Sequence, residues 1–338
     1  MVCTFSHTAI ENVKNQQIWA YYFRKLQKTD LPLRFDKKNS MILQLIVNAI
    51  VSGLLLSIVA IGFHFIFNTN KVFHLAHGAI FAAGGYSFLF FIKLFHQTGT
   101  INSIFLFILS IIVTFLFIVI ISYLIERWIY QPLRNKDVDQ SITLISSMGV
   151  YLFIINLIAL IFGSDSKILE LQLGSGLFIY GASLSSIQIV QSSISLIFIF
   201  AIIYFNRTKW YLKIKAVVDR PSVASILGIN INHIRYLTIA IGGILAAIGG
   251  ILKIYDTGIY PSVGLAITLS AAVAVILGGN YNLIGTILSS FIIAFLQTLT
   301  EWFFSAQWKD TITFVVLILV ILWRTEGIVS FKMRIEEK

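Results

Sequence analysis

Residues 213–236 read KIKAVVDRPSVASILGININHIRY, a polar interruption between two long apolar runs. The stretch carries the marks of one short helix. Asp219 is a side chain suited to cap a helix start, Pro221 fits the first turn, and Gly228 fits the position just past the end. Between them, beside Arg220 and Ala224, Val223, Ile226 and Leu227 fall at i, i+3 and i+4 and share one face. A helix of a turn and a half is marginal alone in water. Its apolar face must lie on a bilayer, pack on its own chain, or plug into another subunit. An ordinary ordered loop is the plain alternative.

What flanks this stretch sets the class of protein. Of 338 residues, 57% are hydrophobic and 12% charged, against roughly 45–50% and 25% in soluble domains. Mean hydropathy is +0.87. About nine apolar segments follow one another at 41–67, 73–95, 101–125, 141–163, 186–206, 237–254, 263–279, 283–300 and 311–323. Most approach the roughly 20 residues needed to span a hydrocarbon core. The reading is an all-α polytopic membrane protein of about eight or nine membrane segments, with a single transmembrane domain over 41–338. The net charge of +10 falls in the loops between apolar runs, where it marks topology and not nucleic-acid binding. The single cysteine, Cys3, excludes an internal disulfide and a cysteine metal site.

Residues 1–40 form a polar extension with seven basic and three acidic residues. Ile18, Trp19, Tyr22, Phe23 and Leu26 have the spacing of a helix lying in the membrane surface. Met41, directly before the first apolar run, is an alternative start, in which case the extension is not translated.

Loop charge gives orientation. The 206–236 loop holds Arg207, Lys209, Lys213, Lys215, Arg220 and Arg235 against one acid, Asp219, so the short helix faces the cytoplasm. Loop 126–140 and the C-terminal tail read the same way, which puts the loops around Asp165, Asp256 and Glu301 outside. A conflict follows. A cytoplasmic N-terminus needs an even number of crossings before loop 126–140, yet three apolar segments lie between. The charge of 1–40 favours a cytoplasmic N-terminus with 73–95 breaking or re-entering, because His74, His77, Gly78, Gly84, Gly85 and Lys93 make it the least lipid-like of the three; the alternative is an N-terminus outside despite its charge, with nine plain spans.

No acid lies deep in a span, and Glu126, Arg127, Lys93 and Lys253 stand near span ends, within reach of the interface. There is thus no visible proton relay. No nucleotide-phosphate loop is present, and no catalytic constellation. Energy for uphill transport would enter from a partner, through the short cytoplasmic helix. In IGGILAAIGG, Gly242, Ala246 and Gly250 recur every four residues, a small-residue face for close helix packing. His74 and His77, with Gly78, are polar on an apolar segment: satisfied internal histidines, or donors lining a solute pathway. A metal site is weak there, since no acid or cysteine stands near. Asn48, Asn156 and Gln297 invite the same two readings.

Several stretches resemble the permease subunits of branched-chain amino acid ABC importers. AVVDRPSVASILGININHIRYLTIAIGGILAAIGGIL is similar to that family's cytoplasmic loop and following span, with its Leu-Gly-Ile-Asn run at Leu227 to Asn230. FHLAHGAIFAAGGY resembles its Asn-Phe-Ala-His-Gly segment in Ala76, His77, Gly78 and Tyr86. Tyr130, Pro132, Leu133 and Arg134 match its Tyr-x-Pro-Leu-Arg, and 271–290 and 308–329 resemble its C-terminal spans. Departures are His74 for Asn, Ile284 for Pro, and Ser289–Ser290 for Gly-Gly.

The resemblance implies a non-enzymatic permease without cofactor, working by alternating access. It would act beside a second permease subunit, cytoplasmic ATPase subunits and an external substrate-binding protein, surrounded by membrane lipid. Coupling would fall on the 219–228 helix. A self-contained channel or facilitator for a small solute, such as urea or a short amide, is the competing class.

Overall fold

The computed structural model describes residues 37–96, 103–169, 176–179, 181–279 and 282–323. Cys3, the amphipathic spacing at 18–26 and the basic tail lie outside them. The helices are α1 (Lys37–Asn70), α2 (Ala76–His96), α3 (Ser103–Ile125), α4 (Gln131–Asn135), α5 (Gln140–Phe162), α6 (Ser186–Phe205), α7 (Lys209–Asp219), α8 (Pro221–Ile226), α9 (Ile231–Asp256), α10 (Val263–Gly278), α11 (Leu283–Phe303) and α12 (Lys309–Trp323). A π turn, Glu126–Tyr130, joins α3 to α4, so the chain expected as a loop from residue 126 stays helical to Asn135. A hairpin of β1 (Leu177–Ile179) and β2 (Ala182–Leu184) precedes α6. Among the described residues seven helices are long and apolar enough to cross a membrane, and α10 is a shorter apolar helix.

The core forms where α1, α2 and α9 meet, and small residues let them meet. Gly62 faces the carbonyl of Gly242, Gly84 faces Ala247, and Gly85 and Gly250 lie backbone to backbone. With Val59 against Gly249 and Phe88 against Tyr255, α9 runs antiparallel to α1 and parallel to α2. Ala246 is fully buried in the same cluster. Within hydrocarbon no hydrophobic force draws helices together, so this closeness of backbones is what van der Waals cohesion requires.

Two helices begin midway along the bundle. After Asn70 the chain reverses at Lys71, whose φ is +56°. Residues 71–75 then run back along the end of α1, with Phe73 stacked edge-on to Phe63 and Phe67. α2 therefore starts level with the middle of α1, where His77 Nε2 lies 3.1 Å from the Val59 carbonyl. On the opposite side the chain leaves α9 at Asp256 and returns through 257–262, where Ile259 pairs with Lys167 by two 2.8 Å backbone bonds. α10 starts there, and Gly264 rests directly on the backbone of Gly78. Extended backbone at this depth survives because protein surrounds it.

This packing corrects the topology favoured by charge. Gln44, near the start of α1, receives the Ser183 amide at 2.7 Å and donates to the Ser183 carbonyl at 3.1 Å. The far end of α1 stands against α11, where His64 Nδ1 is 2.9 Å from Thr286 Oγ1, and shares a cavity with Tyr211, Lys215 and Asp219. With loop 206–236 cytoplasmic, α1 starts outside. α2 is an unbroken helix, so the first three apolar segments all cross, and 73–95 contributes an extended lead-in rather than a failure to cross. Positive charge biases a topology; it does not outweigh three helices locked together by buried contacts.

In a Cys3→Ser background, Ile42→Cys and Asp165→Cys should react with an impermeant maleimide on intact cells, and Ser225→Cys only after permeabilisation. Protection of Ile42→Cys until permeabilisation would restore the topology drawn from charge. Gly264→Ala places a methyl on the Gly78 backbone and should cost at least about 1–3 kcal/mol, read as a lower melting midpoint in detergent.

Candidate coupling helix and translocation route

α7 and α8 form one amphipathic unit lying across the end of the bundle where α9 begins. Ile214, Val217, Ala224 and Ile234 are buried together in a small core of their own, which pins α8 to the base of α9. Asp219 is not the cap of α8. It ends α7 with helical backbone, and the N-cap is Arg220, extended at φ −145° and ψ 92°, with no side-chain bond. A cap needs that extended backbone, which α7 denies to Asp219. Pro221 is the first residue of α8. The end is a Schellman motif: Ile229 N–H donates to the Ala224 carbonyl, Gly228 N–H to Ser225, and Gly228 sits at φ +77°.

Capped so, α8 turns Ala224 inward and Val223, Ile226 and Leu227 outward, with Ile226 83% and Leu227 70% exposed. Under it lies a cavity of about 400 Å³ that Tyr211, Lys215 and Asp219 share with His64 and Asn282. Burial, and secondarily the Asp219 carboxylate, hold the Tyr211 phenol above its ordinary pKa. It is a neutral hydroxyl there.

The polar groups proposed for a pathway separate into two places. His74, His77 and Gly78 belong to the helix junction, and both histidines are fully buried. His74 Nδ1 lies 2.6 Å from the Tyr130 hydroxyl, and Tyr130 donates to Ser147 Oγ at 3.0 Å. Ser147 Oγ also accepts the Ala76 amide at 3.0 Å, one of the orphan donors of a helix start. With Tyr130 donating to Ser147, the His74 bond requires the Nδ1–H tautomer. None of these residues lines the three cavities described in this section. Asn48 does: it accepts from Gln44 at 2.9 Å and lines an external cavity of about 450 Å³ among α1, α6, α9, α10, α11 and α12. Gln297, in the same cavity, donates to Ser270 at 3.0 Å and Thr313 at 2.8 Å, bridging α10 and α12. Asn156 bonds back to its own helix at Leu152. The third cavity, about 740 Å³ and wholly apolar in character, opens between α3 and α5.

Sequence reasoning missed three features. Glu126, placed near a span end and expected at the interface, is 1% exposed and ion-paired with Arg134 across the π turn. No periodic pattern announces that pair, since the π turn resets the helix face between them. His64 was not singled out, although an imidazole in an apolar run is the signal that marked His74. Lys253 and Asp256 were taken singly, and only the fold brings them beside Glu301 and Lys309.

A bundle of apolar helices, two of them begun midway along it, with a capped amphipathic helix across one end, is an architecture of the kind membrane transporters use. Residues 45–321 match the family described as branched-chain amino acid transport system, permease component, and the chain belongs to that family. It is 30% identical over 301 residues to the high-affinity branched-chain amino acid transport system permease protein BraD of Pseudomonas aeruginosa, covering 85% of this chain and 95% of that protein. It is 27% identical over 296 residues to the corresponding LivH of Escherichia coli K12, with the same coverage. A shorter match, 33% over 115 residues and 32% of this chain, is to the autoinducer 2 import system permease protein LsrC of an Enterobacter species. The protein is accordingly an integral membrane permease subunit of an ABC importer.

Tyr130→Phe removes the hydroxyl that serves both His74 and Ser147. It should destabilise the protein by about 1–3 kcal/mol, the cost of leaving a buried polar group unpaired, measured as a fall in thermal midpoint in lipid or detergent.

Proposed function

We propose that this subunit carries branched-chain or similar amino acids inward by alternating access, driven by ATP hydrolysis on separate cytoplasmic subunits that seat on α8. The importer contains a second permease subunit, and an external binding protein delivers the solute. One observation carries the coupling role. Val223, Ile226 and Leu227 stand exposed on a helix that is capped at its end and anchored through Ala224 and α7 to the base of α9. A short helix with this much outward apolar surface is a plug for a groove on a partner, and its rigid seat on α9 transmits the partner's movement into the bundle.

The substrate class is supported by the relatives' names and by the external cavity, which combines an apolar patch with charged residues. ATPase-coupling thus falls on Asp219, Arg220, Pro221, Val223, Ala224, Ile226, Leu227 and Gly228 in distinct parts. Val223, Ile226 and Leu227 make the contact, Arg220, Pro221 and Gly228 set the helix ends, Ala224 anchors, and Asp219 closes α7. Within the route, Asn48 faces the solute, while His74, His77 and Gly78 hold the hinge between α2 and α10.

Leu227→Asp buries an unpaired charge in that groove at a cost of several kcal/mol. Expected are normal membrane insertion, loss of ATPase co-purification, and loss of ATP-driven uptake of radiolabelled leucine in proteoliposomes. Normal uptake and co-purification by the variant would refute the seat on α8. Leucine flux through the chain without ATP or partners would make it a facilitator instead.

A further inference from the structure

The external cavity holds two charges that close no contact ion pair. Lys253 and Asp256, one helical turn apart on α9, both line it and are partly shielded from solvent. Among the described residues neither closes an ion pair within 4 Å; the ion pairs found are Arg134–Glu126 and Lys309–Glu301, the latter a loose 3.8 Å. Across from them Gln191 of α6 is 2% exposed, lines the same cavity, and has a side-chain carbonyl with no hydrogen-bond partner. A buried acceptor left open costs about 1–3 kcal/mol unless something donates to it. Val51, Leu55 and Leu56 of α1 with Ala266 and Ile267 of α10 give the cavity one apolar patch, while Asn48, Ser270, Gln297, Glu301, Lys309 and Asp310 keep the rest of its wall polar. At about 450 Å³ the space falls within the roughly 300–1,000 Å³ of small-molecule sites.

An ammonium and a carboxylate without contact ion pairs, beside an apolar patch, are complementary to one kind of solute. It carries a carboxylate and an ammonium on neighbouring atoms and an apolar side chain. We infer that this cavity is a receiving site for a zwitterionic α-amino acid on the external side of the subunit. Lys253, with Lys309 behind it, takes the carboxylate. Asp256 takes the ammonium, and the side chain lies on Val51, Leu55 and Ile267. Charge-assisted bonds of this type are the strong ones in a shielded site. The inference rests on the amino-acid reading of the importer given above and adds to it a location and a polarity within this chain.

Trp302 borders the cavity, so its fluorescence reports on occupancy. The full chain in lipid nanodiscs is titrated with L-leucine, with Trp302→Phe as the control that removes the reporter. The expected result is a saturable change with L-leucine, weakened tenfold or more by Lys253→Met and largely retained in Lys253→Arg. 3-Methylbutylamine, lacking the carboxylate, and 4-methylpentanoate, lacking the ammonium, should each bind at least tenfold more weakly than leucine. Should Lys253→Met fail to insert, the near-isosteric Asp256→Asn is read in the same titration and is expected to lose the same affinity. Equal leucine saturation in wild type and both variants overturns the site, as does no saturation in wild type while the complete importer still carries leucine. In that second case the proposed function stands alone. If the complete importer carries no amino acid, that function falls and the site with it. Capture of the external binding protein weakened by Lys253→Met, with leucine titration unchanged, would make these charges a docking surface and overturn the inference.

Discussion

The contact on which this fold depends is the one between the backbones of Gly78 and Gly264. Each glycine sits in the first turn of a helix that begins within the protein, and first turns carry amides with no partner of their own. In a hydrocarbon setting those amides cannot turn to water, so the surrounding protein must serve them. Ser147 takes the Ala76 amide, Tyr130 fixes Ser147, and His74 fixes Tyr130. The junction is thus held by backbone proximity on one side and a closed chain of hydrogen bonds on the other.

From this junction the rest of the bundle follows. α2 points from it to one membrane face and α10 to the other, so extended chain reaches it from both sides, 71–75 from one and 257–262 from the other. α9 lies along both α1 and α2, its small residues pressed against theirs, and its cytoplasmic end carries α8. α9 ends at Lys253 and Asp256 beside the external cavity. One helix of 26 residues, about 39 Å at 1.5 Å per residue, thus joins the seat of α8 to that cavity.

The distribution of polarity fits that division. The interior is apolar with a few buried polar groups, some of them bonded from helix to helix. Charge is kept at the external cavity and at the cytoplasmic end, where Glu126 is paired with Arg134 in the π turn that leads to α4. A π turn shifts the register of a helix face and commonly marks a functional position.

Composition and hydropathy by themselves determined that this chain is a polytopic helical membrane protein, because roughly 20 apolar residues in a row have few other uses. Local sequence also determined the α8 helix and its outward face, since Pro221, Gly228 and the i, i+3, i+4 triplet act over one or two turns. Tertiary structure decided that the start of α1 lies at the end of the bundle opposite loop 206–236, because Gln44 and His64 are bound to opposite ends of the bundle. It alone decided the cap of α8, since Asp219 is claimed by the preceding helix. It also separated Asn48 from His74 and His77, and gathered Lys253, Asp256, Gln191 and Glu301 from three helices around one cavity. No local pattern records such a gathering, because those residues lie far apart in the chain and meet only when helix packing sets their depth and rotation.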